Sequence, residues 1–91
     1  MYKIVFTRHF KHGVKRCAKR SLDLTKLSYV VDQLRDSGCL PEAYHPHKLS
    51  GYQHNNTWEC HIESDWLLVW EQDNNQKIML LLDTGTHSDI F

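Results

Sequence analysis

The order of hydrophobic patterns predicts an α+β domain in which two N-terminal helices pack on one face of a small, mostly antiparallel sheet. Two observations carry that expectation. Residues 9–34 place apolar side chains at helical spacing, and residues 57–83 place them at strand spacing between short polar turns. Connections as short as those turns cannot join parallel neighbours.

Residues 2–7 alternate loosely and are rich in β-branched and aromatic types, which predicts a strand. Over residues 9–20, Phe10, Val14, Cys17 and Ala18 recur at helical spacing despite Gly13. The polar side of that helix carries Lys11, Lys15, Arg16, Lys19 and Arg20. Asp23 can cap a second helix, whose stripe is Leu24, Leu27, Val30, Val31 and Leu34, with Gly38 as its stop. Residues 39–52, punctuated by Pro41, Pro46 and Gly51, read as a loop. Thr57–Glu63 then alternates, with Trp58, Cys60 and Ile62 on one face and Thr57, Glu59, His61 and Glu63 on the other. Residues 66–71 are apolar on both faces, the pattern of a central strand. A turn over 73–76 leads to a strand over 77–83, which Thr84-Gly85-Thr86-His87 is expected to break.

The 91 residues make one domain, residues 1–91. Three Trp, three Phe and four Tyr supply enough apolar area to exclude disorder. The core will still be thin, because a chain of this size buries roughly 65% of its unfolded surface. The longest apolar runs have five residues, far short of the ~20 that span a bilayer. No membrane association is expected. The first residues lack the features of a secretory signal, and three cysteines fit no disulfide framework, so a cytosolic protein is expected. Net charge is zero but split. Residues 1–48 hold ten Lys/Arg against four acids, and residues 49–91 hold one Lys against seven. A basic half suits a polyanion or an acidic partner, and chance segregation is the bland alternative.

Seven histidines in so short a chain are the stronger oddity. Reactive side chains gather in His45-Pro46-His47-Lys48, Glu59-Cys60-His61, Asp65-Trp66 and Thr86-His87-Ser88-Asp89. In a meander, His61 and Asp65 flank one turn, His47 precedes that strand and His87 follows the last one. Imidazoles and a carboxylate brought together can do general acid–base work near neutral pH. RNA cleavage needs that pairing: one group takes the 2′-OH proton and another protonates the 5′-oxygen. The RNA supplies its own nucleophile, so neither a metal nor a catalytic Ser is required. Each histidine also has a plainer reading as a solvated or packing residue, and Trp66 and Trp70 read as core.

Cys39, His45, His47, Cys60 and His61 carry ligand-type atoms, but no C-x-x-C or H-E-x-x-H spacing is present, so no metal is expected. Cys60 and His61 are adjacent on a strand and point to opposite faces, which excludes them as a nucleophile–base pair.

Leu40-Pro41, Tyr44, His47-x-Leu49-x-Gly51, Glu59-Cys60-His61-Ile62, Asp65-Trp66-Leu67-Leu68 and residues 84–91 together resemble the YafQ branch of the RelE-like toxins. The resemblance covers nearly the whole chain. It implies a RelE-like fold and the toxin of a bacterial type II toxin–antitoxin system. Such toxins cut mRNA in the ribosomal A site. It further implies a cognate DinJ/RelB-like antitoxin, contact with ribosome and mRNA, and operator DNA bound only through the antitoxin complex.

By motif, the catalytic positions implied are His47, His61, Asp65, His87 and Phe91, with no cofactor. His47 is expected as base, His87 as acid, Asp65 as the group orienting a histidine, His61 on the phosphate and Phe91 stacked on a base; exchanging base and acid fits equally well. Expected RNA contacts are Lys11, Lys15, Arg16, Lys19, Arg20, Lys48 and Trp66. Asp83 departs from the pattern, because some relatives carry Arg there, and a carboxylate cannot stabilise charge on a phosphorane. That departure keeps a second hypothesis open, a weak or inactive toxin-fold protein that serves as antitoxin partner and co-repressor. A third is a metal-dependent hydrolase built on the Cys/His residues.

Overall fold

The structure, a computed structural model, describes residues 1–49 and 56–91. Gly51 and the far end of the expected loop lie outside the described residues. The elements in chain order are β1 (Lys3–Phe6), α1 (Arg8–Lys19), α2 (Leu24–Ser37), a 3₁₀ turn (Glu42–Tyr44), β2 (His47–Lys48), β3 (Thr57–Glu63), β4 (Trp66–Asp73), β5 (Ile78–Gly85) and α3 (His87–Ile90).

Local chemistry sets the helix ends. The Thr7 hydroxyl accepts from the Phe10 N–H at 3.2 Å and starts α1. Asp23 accepts from the Thr25 N–H at 3.0 Å and starts α2, which stops at Gly38 in the left-handed conformation. Gly13 is the unexpected residue in α1, and packing explains it. A Cβ there would lie 2.6 Å from the Thr84 carbonyl oxygen and 2.9 Å from Asp83 Oδ1. Glycine lets α1 lie directly on β5.

The strands form one sheet in the order β1-β5-β4-β3-β2. Pairings β2–β3, β3–β4 and β4–β5 are antiparallel, and β1–β5 is parallel. The parallel edge is possible because two helices and three strands separate β1 from β5, so no hairpin fixes their direction. β4 lies at the centre, and Trp66, Leu67, Leu68, Val69 and Trp70 are all buried. One core joins Phe10, Cys17, Leu27, Val30, Val31 and Leu34 of the helices to Cys60, Ile62, Leu68, Trp70, Met79 and Leu81 of the sheet.

Two expectations are corrected. The span expected as a loop contains a 3₁₀ turn and β2, whose two residues pair with Glu59 and Trp58. Two residues carry no periodic signal, so the partner strand decides their state. The final strand is not broken at Thr84 but continues through Gly85, because Leu68 and Leu67 of β4 pair with those two residues.

The charge split resolves inside the fold. Arg16–Asp83, Arg16–Asp89, Arg20–Asp89 and Lys26–Glu63 ion pairs all join the basic half to the acidic half. Much of the excess positive charge is thus answered internally. No described helix is long and apolar enough to cross a membrane.

Candidate active site

Strand register gathers distant residues at one end of the sheet. His61 of β3 pairs with Leu67 of β4, and Leu67 pairs with Gly85 of β5. Asp65 lies in the β3–β4 turn at that end, and His87 follows Gly85 by two residues. His47 pairs with Glu59 across β2–β3, which puts both side chains on one face, with His61 two residues further along it. Cys60 and Ile62 point into the core with the helices. Alternation therefore turns Glu59 and His61 to the opposite face.

His47 Nε2 lies 3.4 Å and His61 Nε2 3.9 Å from the same Glu59 carboxylate oxygen. Glu59 is only 5% exposed, so this is a buried carboxylate shared by two imidazoles. The His61 and His87 ring centroids are 5.8 Å apart, and the His45 ring meets His61 edge-on at 5.9 Å. Phe91, an exposed ring, lies 6.4 Å from His87. Asp65 Oδ1 is 2.9 Å from His87 Nδ1 and accepts from the His87 N–H at 3.1 Å. These bonds, that from the imidazole first, hold the Asp65 carboxyl below the usual carboxylate range.

The three imidazoles share one orientation rule. Nδ1 faces the His45 carbonyl at 2.9 Å in His47, the Ser64 carbonyl at 3.3 Å in His61, and the Asp65 carboxylate at 2.9 Å in His87. Those oxygens accept, so Nδ1 is the donor in each contact. Nε2 of His47 and of His61 faces Glu59.

The final segment is held from beneath. Thr84 accepts from Trp66 Nε1 at 3.0 Å and donates to the Leu67 carbonyl at 2.8 Å. Thr86 and Asp89 form a reciprocal capping box at the start of α3. Asp89 also receives both guanidinium nitrogens of Arg20, at 2.5 and 3.0 Å, and Arg16 Nε lies 3.4 Å away. Its carboxyl is held far below the ordinary range, chiefly by Arg20. Gly85 has no room for a side chain, since a Cβ would lie 2.7 Å from Asp89 Oδ2 and 2.8 Å from Arg16 Nη2.

Of the residues singled out from sequence, His61, Asp65, His87 and Phe91 meet directly, and His47 joins them through Glu59. Glu59 and His45 join the cluster beyond the expected catalytic positions. The period-two alternation that places His61 on the outer face places Glu59 there as well. His45 stands in the histidine-rich 45–48 segment, which has no period to place its side chain.

One expected RNA contact is corrected, and two others carry internal ion pairs. Trp66 is buried with its N–H bonded to Thr84, which makes it a core residue. Arg16 pairs with Asp83 and Asp89 and bonds the Thr84 carbonyl, and Arg20 pairs with Asp89 while its side chain stays 44% exposed. Lys11, Lys15, Lys19 and Lys48 are exposed as well. Asp83, which raised doubt about activity, is buried between His9 at 3.1 Å and Arg16 at 3.4 Å and also accepts from the Thr84 N–H. It ties α1 to β5 rather than facing the imidazoles.

The cysteines are three free thiols. Burial pushes the Cys60 thiol up to about 12, so it is no nucleophile at neutral pH. Among the described residues, Glu59, His61 and His87 bring one ligand-type atom each within 4.8 Å of one another. Two imidazoles and a carboxylate are donors that zinc- and copper-class ions accept.

This chain is similar to bacterial toxins by family, by sequence and by fold. The YafQ family, described as a bacterial toxin of type II toxin–antitoxin system, matches residues 2–91. The mRNA interferase toxin YafQ of Escherichia coli K12 is 30% identical over 97% of this chain and 94% of its own length. Among solved structures, the E. coli DinJ–YafQ complex superposes with a TM-score of 0.91 at 29% identity, covering 100% of this chain and 99% of the other. A metal-bound toxin from Helicobacter pylori superposes with a TM-score of 0.90 at 31% identity over the whole of both chains. The chain belongs to the YafQ family of type II toxin–antitoxin toxins.

Proposed function

We propose that this toxin is a ribosome-dependent endoribonuclease that cuts mRNA in the A site without a metal and acts in the bacterial cytoplasm. The observation that carries this reading is the convergence of His47, His61 and His87 with Glu59 and Asp65 at one end of the sheet. His47 Nε2 takes the 2′-OH proton while Glu59 beside it steadies the resulting imidazolium. His87 gives a proton to the departing 5′-oxygen from Nε2, held in orientation by Asp65 at Nδ1. His61 stands between them to meet the phosphate, and Phe91 offers its ring to a base. The products are a 2′,3′-cyclic phosphate and a 5′-OH. The opposite assignment of base and acid is chemically equivalent until each Nε2 is titrated with substrate bound.

The exposed Lys11, Lys15, Lys19 and Lys48 meet RNA phosphates. The partner is an antitoxin of the DinJ type, as in the E. coli complex. Operator DNA is then bound through the antitoxin.

One observation favours a second reading. Glu59, His61 and His87 are spaced to hold a cation, and the similar H. pylori toxin was determined metal-bound. Both readings are tested by expressing the chain from a tight promoter and mapping new mRNA 5′ ends beside His87→Gln. Purified toxin and ribosomes are then assayed with and without chelator. In-frame cuts that vanish in the variant and survive chelation support the metal-free nuclease. Cuts lost on chelation support the metal-dependent one. A folded, soluble wild type that makes no cuts is a binding partner of its antitoxin only.

A further inference from the structure

Arg16 and Arg20 point to a role that the polar face of α1 does not advertise. α3 is four residues long, too short to fix itself. It carries His87 at its start and leads directly to Phe91. Asp89 holds it in place, accepting from the N–H of Thr86, the N-cap of α3, at 2.9 Å and from Arg20 at the C-terminal cap of α1. Arg16 reaches the same carboxylate while bonding the Thr84 carbonyl at 2.9 Å, just before Gly85. Gly85 permits this by leaving the space over which Asp89 and Arg16 meet. An isolated surface ion pair is worth little. This one is two-pronged, shares its carboxylate with a second arginine and a backbone N–H, and has its acid side chain only 13% exposed.

We propose that the Arg20–Asp89 pair, braced by Arg16, is a positioning device that sets where His87 and Phe91 stand. It rests on the nuclease reading above. The chain of contacts is short: Arg20 to Asp89, Asp89 to Thr86, Thr86 to His87 and so to the Asp65–His87 bond. A displacement of about 1 Å at a reacting group can cost on the order of 100-fold in rate.

The experiment compares Arg20→Gln, Arg20→Lys and Asp89→Asn with Arg35→Gln, which breaks the exposed Arg35–Asp32 pair on α2. Ribosome-dependent kcat and KM, thermal midpoint, and the His87 ring resonances by NMR are measured for each. The expected result is a roughly 10- to 100-fold loss of kcat in Arg20→Gln and Asp89→Asn, with KM within about twofold. Moved His87 resonances, partial recovery in Arg20→Lys and no change in Arg35→Gln are expected alongside. Raised KM with unchanged kcat in Arg20→Gln would make Arg20 an RNA contact and overturn the proposal. Unmoved His87 resonances would overturn it too. Should Arg20→Gln fail to fold, Asp89→Asn decides, because it keeps the charge of Arg20 and an oxygen that can still accept from Thr86 while removing the carboxylate that Arg20 grips. If the wild type cuts no RNA, the nuclease reading fails, and the His87 resonances still decide the positioning role.

Discussion

One oxygen of Asp65 takes two hydrogen bonds from His87, 2.9 Å from the imidazole Nδ1 and 3.1 Å from the backbone N–H. The carboxylate thus fixes both the ring and the chain that carries it. The residues lie 22 positions apart in sequence and meet because β4 begins where β5 ends.

Replacing His87 by Gln removes the proton donor and leaves the fold's anchors in place. Cleavage should fall by about 10²- to 10⁴-fold, while thermal stability and antitoxin binding persist. Primer extension on a ribosome-bound message beside a melting curve checks both. Full cleavage would remove His87 from the chemistry.

The same pair has a pH signature. Asp65 has a folded-state pKa below its unfolded value. Its contribution to stability is therefore complete above the unfolded pKa of about 3.9 and is lost as pH falls through the folded value. In His87→Ala, the Asp65 carboxyl should titrate closer to the ordinary value, because the imidazole bond is gone and the backbone bond remains. Carbon-detected NMR between pH 2 and 6 (roughly the carboxylate range) reads this directly; an unmoved midpoint would deny the coupling.

Phe91 is 62% exposed, so its ring contributes little to the core. Stacking on a base is worth about 1–3 kcal/mol. Phe91→Ala should thus lower kcat/KM by roughly 5- to 150-fold with an almost unchanged thermal midpoint. Loss of stability without loss of cleavage would reassign the ring to packing.

Gly13→Ala sets two effects against each other. Alanine gains about 1 kcal/mol in helix propensity. The new Cβ, however, would stand 2.6 Å from a backbone oxygen that cannot swing away, and overpacking costs about 1–3 kcal/mol. The clash wins, so the thermal midpoint should drop by several degrees. A rise would mean that α1 lifts from β5 at no cost.

The lysines of α1 proposed to meet RNA are exposed, whereas Arg16 and Arg20 also pair with carboxylates. Reversing charge at Lys11, Lys15 and Lys19 should weaken ribosome association. Its salt dependence should flatten by roughly 0.7–0.9 log units for each phosphate that a lysine no longer neutralises. Unaltered salt dependence would leave that face merely solvated.

Periodicity and end signals alone determined α1 and α2, the caps of α2 at Asp23 and Gly38, the alternation of β3 and the central place of β4, because those features are written in neighbouring residues. Motif resemblance marked His47, His61, Asp65, His87 and Phe91 but could not place them together. Tertiary structure decided what long-range pairing controls. The parallel edge of β1 against β5, the two-residue β2 and the extension of β5 through Gly85 all depend on a partner strand. The destiny of charge was equally invisible: Arg16, Arg20 and Asp83 read as surface or site residues, and only the packing of α1 on β5 and α3 turned them into internal pairs. A sequence records which side chains carry charge, but Coulomb energy depends on the distance between them, and the fold sets that distance.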